Sequence, residues 1–256
     1  MAPKEVKHFL FPIGCLRVDK SLNDVTESDR KTLLSHCLNC HVRDAMEHVD
    51  TDDDQVIAAA DDEAAKHGYT TPSDEWSDDE IALLYATRIS HFSHGEKDTS
   101  KILKQIRKSV SEVTVGKSRV SFPSQLFWEA VREWDFREFA VLCSVWSAIG
   151  QCSYRRVTFD KIIRGAHGYG TEKEFALFPK HLETLSRRQV RTTVDKLERR
   201  GFFVRCPMNK RHMAYSRNLT LPKLVECIAN RTEEKRTPSM DDRLAMVERL
   251  RREKQS

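Results

Sequence analysis

The stretch LSRRQVRTTVDKLERRGFFVRC, residues 185–206, constrains this chain more than any other. Ser186 and Gln189 stand at capping-box spacing, where each side chain satisfies a backbone N–H left unpaired at a helix start. Gly201 stands where helices end in the left-handed conformation. The spacing predicts a helix over 187–200. At 100° per residue Val190, Thr193, Val194 and Leu197 share one face. Arg188, Thr192, Asp195 and Arg199 point the opposite way, flanked by Arg187, Arg191 and Arg200. One side must be packed and the other is a row of cations, so the chain has to supply a core for this helix and leave its charged face open.

The neighbouring segments supply such a frame. Asp135 is placed to cap FREFAVLCSVWSAIG, whose Phe139, Leu142, Cys143, Trp146 and Ile149 make an apolar face, with Gly150 as a stop. Tyr154 to Phe159 reads as a short strand and Asp160 to Ala166 as a short helix. Beyond Gly201, FFVRC and HMAYSRNLTL read as two strands around Pro207–Arg211, a turn with Lys210 and Arg211 at its tip.

Helix, strand, short helix, helix, basic hairpin: from Asp135 to Leu221 the order resembles a winged helix-turn-helix DNA-binding domain, as in bacterial transcription regulators and plasmid or phage replication initiators. The resemblance covers roughly a third of the chain. It implies that the helix from Arg187 enters a major groove and that the tip from Asn209 to His212 touches neighbouring backbone or minor groove. Arg187, Arg188 and Arg191 are then the groove contacts, with Thr192 as a methyl or backbone contact. Lys196 and Arg199 join them in the DNA-binding set, and Lys210 and Arg211 suit phosphate, which positions without reading sequence. One departure stands out: GYGTEKEFALFPKHLETL, 168–185, separates the second helix from the third, far more than the usual short turn of the motif. Either an extra short helix is inserted there or the second helix lies elsewhere.

The charge is divided along the chain. Residues 151–256 hold 25 Lys and Arg against 13 Asp and Glu, whereas residues 1–150 hold 18 against 26. A basic part joined to an acidic one points to a polyanion surface on the former. The acidic excess peaks over 44–98, with 16 carboxylates against three cations, and self-repulsion predicts mobile loops around Thr51–Asp54 and Thr70–Asp79. Elsewhere in the N-terminal part, residues 4–19 suggest a short strand pair broken at Pro12–Gly14. RKTLLSHCLNCHVRDAMEHV, DEIALLYATRISHF and SKILKQIRKSVSEV carry helical periodicity, and VTVGKSRVSF alternates like a strand or hairpin.

Other chemistry is weakly supported. No run nears the roughly 18 apolar residues that span a bilayer, and no secretory core is apparent at the start, so a cytoplasmic protein is expected. Seven scattered cysteines argue for reduced thiols rather than a disulfide framework. Cys37-x-x-Cys40-His41 has ligand types for haem or zinc, but no second pair accompanies it, and Cys37 lies in an apolar stripe. His91 and His94 lack the glutamate of a metalloprotease helix, and Asp52–Asp54 lacks the rest of a calcium loop, so no metal is expected. Neither a phosphate-binding glycine loop nor a nucleophile elbow is present, and an enzyme is not expected. Trp128, Trp134 and Trp146 read as core rather than base-stacking residues. At the C-terminus Leu244, Val247 and Leu250 lie on one side of a short charged helix.

The resulting expectation is a mainly α fold with small β elements (α+β). It comprises an acidic, mostly helical region over 1–115, a winged helix over 116–230 and a charged tail over 231–256. The expected function is sequence-specific binding of double-stranded DNA without catalysis or cofactor, as a transcription regulator or replication initiator of a bacterial mobile element, with a homodimer or a basic protein as further partner and no membrane. The alternative is a winged-helix interaction module whose acidic region binds a basic partner or masks the basic part.

Overall fold

The computed structural model describes residues 8–69, 76–95, 100–112, 118–209 and 212–234. The fold is mainly helical with two small antiparallel sheets. No helix among the described residues is long and apolar enough to cross a membrane.

The N-terminal part begins with strand β1 (His8–Pro12), followed by a 3-10 turn over Ile13–Leu16. Residues 8–19 therefore do not fold back as a strand pair. Instead β1 pairs antiparallel with β2 (Arg119–Pro123), with Leu10 opposite Ser121 and Phe11 opposite Val120. Helices α1 (Glu27–Met46), α2 (Asp53–Lys66), α3 (Asp78–Gly95) and α4 (Lys101–Glu112) fill the interval.

Helix α2 corrects the reading of Thr51–Asp54 as a mobile loop. Asp52 caps the helix, accepting from the Gln55 N–H at 2.8 Å, and Asp53 and Asp54 sit in its first turn. Carboxylates that repel one another in an open chain are favoured at the positive end of a helix dipole. Val56, Ala59, Ala60 and Ala64 turn the opposite face inward. The start of α3 repeats the arrangement with Asp78, Asp79 and Glu80. Of the second expected loop, residues 70–75 lie outside the described residues.

After β2 come α5 (Ser124–Glu133) and α6 (Phe136–Ile149). Asp135 caps α6, accepting from the Arg137 N–H at 2.8 Å, and Gly150 ends it with φ +62°. Nearly every residue of α6 is buried, making it the centre of the molecule. Phe9, Phe11, Phe122, Phe127 and Phe139 stack edge-on or tilted beside it, with centroids 4.7 to 6.4 Å apart. Trp146 continues the chain of rings from Phe122 to Phe202. Trp128, Trp134 and Trp146 are all buried. One connected set of buried apolar residues runs from Phe9 to Tyr215.

The remaining elements are β3 (Arg155–Val157), α7 (Phe159–Ala166), the single-turn α8 (Glu172–Phe175), α9 (Arg187–Arg199), β4 (Val204–Asn209), β5 (His212–Ser216) and α10 (Leu221–Glu234). The strand read over Tyr154–Phe159 is thus shorter, because Thr158 accepts from the Lys161 N–H and caps α7, which begins at Phe159, one residue before Asp160. Strands β3, β5 and β4 form one antiparallel sheet in that order, with Arg156 opposite Ala214 and Cys206 opposite Ala214 from the other side. Helix α10 covers this sheet through Leu224 and Ile228, packed with Ala214, Val204 and Met208.

Candidate nucleic-acid interface

Helices α6, α7 and α9 meet in a three-way contact. Gly165 makes the approach of α7 to α6 close enough that a Cβ in its place would lie 2.2 Å from the Ser144 Oγ. That hydroxyl donates to the Ile162 carbonyl at 2.9 Å across the same contact. Helix α9 inserts Val190, Thr193, Val194 and Leu197, all buried, into the remaining space. Its start carries the full capping box: the Ser186 Oγ accepts from the Gln189 N–H at 3.2 Å and the Gln189 Oε1 accepts from the Ser186 N–H at 2.8 Å.

The long connection between α7 and α9 holds the inserted turn α8 and is closed at its base. His167 is buried, and its Nε2 accepts from the Leu185 N–H at 3.2 Å, immediately before the cap of α9. Burial drives the imidazole pKa down to about 4, so the ring is neutral and its Nε2 is free to accept. The rings of His167, Tyr169, Phe175 and Phe178 pack together, with Phe178 4.8 Å from His167. Arg17, from the N-terminal part, pins the insert by donating to the Gly168 carbonyl at 3.0 Å and to Glu174 at 3.0 Å, with its guanidinium 4.5 Å above the Tyr169 ring.

The outward face of α9 carries most of the residues expected to meet DNA, in different degrees of readiness. Arg188 is exposed and has no ion pair among the described residues. Arg191 is exposed, with its guanidinium 5.9 Å over the Phe159 ring of α7. Thr192 is exposed, and its hydroxyl donates to the Arg188 carbonyl at 3.1 Å. Arg187 pairs with both Asp160 oxygens at 3.0 and 3.1 Å, and both side chains are largely exposed. Arg199 donates to the Asp195 carbonyl one turn back at 3.2 Å. All five are exposed residues of α9.

Lys196 differs. Its ammonium is held by the buried Glu138 of α6, which also accepts from Arg200 at 3.4 Å. Arg200 bonds Glu129 at 3.2 Å and lies 3.8 Å over Trp134. Lys196 thus belongs to a network that joins α9 to α5 and α6. It stands in the DNA-binding set expected from the sequence, but the carboxylate that engages it is 58 residues away in the chain. Lys210 and Arg211 lie outside the described residues.

The hairpin is tied to α9 by Arg205, which donates to Glu198 at 2.8 Å and pairs with Asp195. Sequence reading missed cations beside it. Arg155 and Arg156 are exposed on β3, and Arg156 meets His212 across the sheet. Lys161 on α7 has its pKa lowered, first by partial burial and then by the nearby charges of Arg155 and Arg164. Arg155 of β3 and Arg164, in the last turn of α7, thus both act on Lys161, and of this the sequence shows only the adjacent pair in YRR.

The cysteine cluster behaves as packing. Burial raises the thiol pKa of Cys37 to about 11 and pushes those of Cys15 and Cys143 well up. Cys40 contacts His36 one turn away at 3.5 Å. Among the described residues no group of three His, Cys, Asp or Glu side chains is arranged to hold a metal ion. The His94 side chain lies outside the described residues. No family model, curated protein or solved structure matches this chain.

Proposed function

We propose that this chain binds double-stranded DNA through a winged-helix unit running from α6 to α10, with α9 as the helix that enters the major groove. In this reading β4 and β5 form the wing, β3 completes its sheet and α7 is the positioning helix. The protein acts by binding rather than catalysis, as a cytoplasmic transcription regulator or replication initiator.

One observation carries the reading. Helix α9 buries its apolar side and presents Arg187, Arg188, Arg191 and Thr192 at its exposed N-terminal half, with no acidic residue in the first turn. Cations there oppose the helix dipole by about 0.3–1 kcal/mol each, so the arrangement is unfavourable for the isolated helix. A phosphate or the acceptor edge of a guanine supplies the missing negative charge, and the backbone N–H groups of a helix start favour the same ligand. Asp160 offers partial compensation to Arg187 alone.

The test is duplex binding by Arg188→Ala and Arg191→Ala, measured by fluorescence anisotropy. Each is expected to lose about 1–3 kcal/mol on the preferred sequence and much less on random DNA. Two variants that bind the preferred sequence like the wild type would remove α9 from the interface.

A further inference from the structure

The acidic helices hold a groove that DNA binding leaves unused. It encloses about 550 Å³ between α1, α2 and α3. Val42, Met46, Ile57, Ile81, Ala82 and Ile89 make an apolar bed, and Asp53, Asp78 and Arg43 add charge to its walls. A cavity of this size, mostly apolar with a few polar groups, is the usual form of a small-molecule site.

Helix capping does not account for the two carboxylates. Asp52 caps α2, and at the start of α3 the Ser77 Oγ accepts from the Glu80 N–H at 3.4 Å while Glu80 accepts from the Ser77 N–H at 3.2 Å. Asp53 and Asp78 each stand one residue further on, exposed, with no side-chain hydrogen bond or ion pair among the described residues. One such carboxylate is what any helix start favours. Two lining one groove repel each other, and a cation between them removes the repulsion.

The packing of the helices brings both to the same end of the groove. Asp61 of α2 accepts from the Tyr85 hydroxyl of α3 at 3.1 Å and pairs with Arg88 at 2.9 Å. Asp61 lies eight residues beyond Asp53 and Tyr85 seven beyond Asp78, so α2 and α3 run side by side in one direction with their starts together. Thr32 of α1 donates to Asp79 at 3.1 Å, which sets that end of the groove level with the first third of α1. Arg43 is eleven residues further along α1, about 16 Å at the helical rise of 1.5 Å per residue. Its place is therefore toward the opposite end of the bed.

We propose that this groove binds a small amphipathic amine. The ammonium sits between Asp53 and Asp78, and the apolar body lies along Ile57, Ile81 and Ala82 toward Met46 and Ile89. Arg43 stands too far along to repel the ammonium. A neutral molecule of the same shape leaves both carboxylates without a counter-charge, and an organic anion meets them with like charge. The site is separate from α9 and does not rest on the DNA reading.

The experiment titrates the full chain in a calorimeter with phenylbutylamine, phenylbutanol and phenylbutyrate, which share one apolar body and differ in charge. The amine is expected to bind at least about tenfold tighter than the alcohol, and the carboxylate more weakly than either. Asp53→Asn combined with Asp78→Asn should bring the amine down to the level of the alcohol and leave the alcohol unchanged, which also reports that the bed is intact. Ala82→Trp fills the bed and should abolish binding of both. An amine bound no tighter than the alcohol or the carboxylate, or not bound at all, overturns the proposal without recourse to any variant. Amine affinity retained in Ala82→Trp or in the paired asparagine variant would place the amine elsewhere on the acidic surface and overturn it as well.

Discussion

Arg188 and Lys196 carry the same charge on the same helix, yet what already holds each of them is different. Arg188 has no ion pair among the described residues, whereas Lys196 is engaged by Glu138, which is only 6% exposed. Removing a partner of a buried carboxylate costs more than removing a surface pair. Lys196→Ala is therefore expected to lower unfolding free energy by about 1 kcal/mol in urea melts, tempered by the remaining Arg200 contact. It should leave the salt dependence of DNA binding unchanged, because an ammonium already committed releases no counterion on binding. A slope reduced by about one would show instead that Lys196 leaves Glu138 for phosphate.

His167 gives a second test at this scale. Its pKa of about 4 in the fold lies below the ordinary imidazole value, so the unfolded chain binds the proton first as pH falls. Stability is fully present above about pH 6.5 and declines as pH falls toward 4. Between pH 7.5 and 5 the wild type should lose about 2 kcal/mol more than His167→Gln, a difference read from paired urea melts. Equal losses would show that the ring is not held neutral in the fold.

Among elements, the contact of α6 with α7 fixes how α9 is presented. Gly165→Ala places a methyl 2.2 Å from the Ser144 Oγ, so the helices must separate or the serine must turn and give up its bond to Ile162. An overpacked contact of this kind costs about 1–3 kcal/mol, and thermal melting of the variant checks it. The same elements show what a sequence reveals. Helices α6 and α9 were readable because cap, periodicity and stop all lie within about fifteen residues and agree with each other. Helix α2 was hidden because its acidic run was weighed as repulsion, and the favourable placement of Asp52–Asp54 at a helix start emerges only once the helix is assumed. Strands β1 and β2 pair residues more than a hundred positions apart, for which no local pattern exists. The exposed face of α9 was legible from period alone, while the capture of Lys196 by Glu138 and the approach of Arg155 to Lys161 depend on tertiary contacts.

At the level of the whole molecule, the acidic and basic parts share one buried core. Phe9 and Phe11 from the first strand pack on Phe127 and Phe139, and Asn23 accepts from Arg137 of α6 and from Gln189 of α9. The acidic helices thus sit on the same rigid frame as the arginine face. If the proposed reading of α9 holds, charge of this sign on the same molecule disfavours a polyanion there and favours approach to the basic surface. This gives the charge division along the sequence a spatial use. The measurement that tests the account most directly is retention of a random duplex library by the purified full chain across a salt series, with sequencing of the retained DNA. An enriched motif is expected, together with affinity that falls steeply as salt rises. No retention near physiological salt would contradict it, and would leave the arginine face of α9 as a surface for an acidic protein partner.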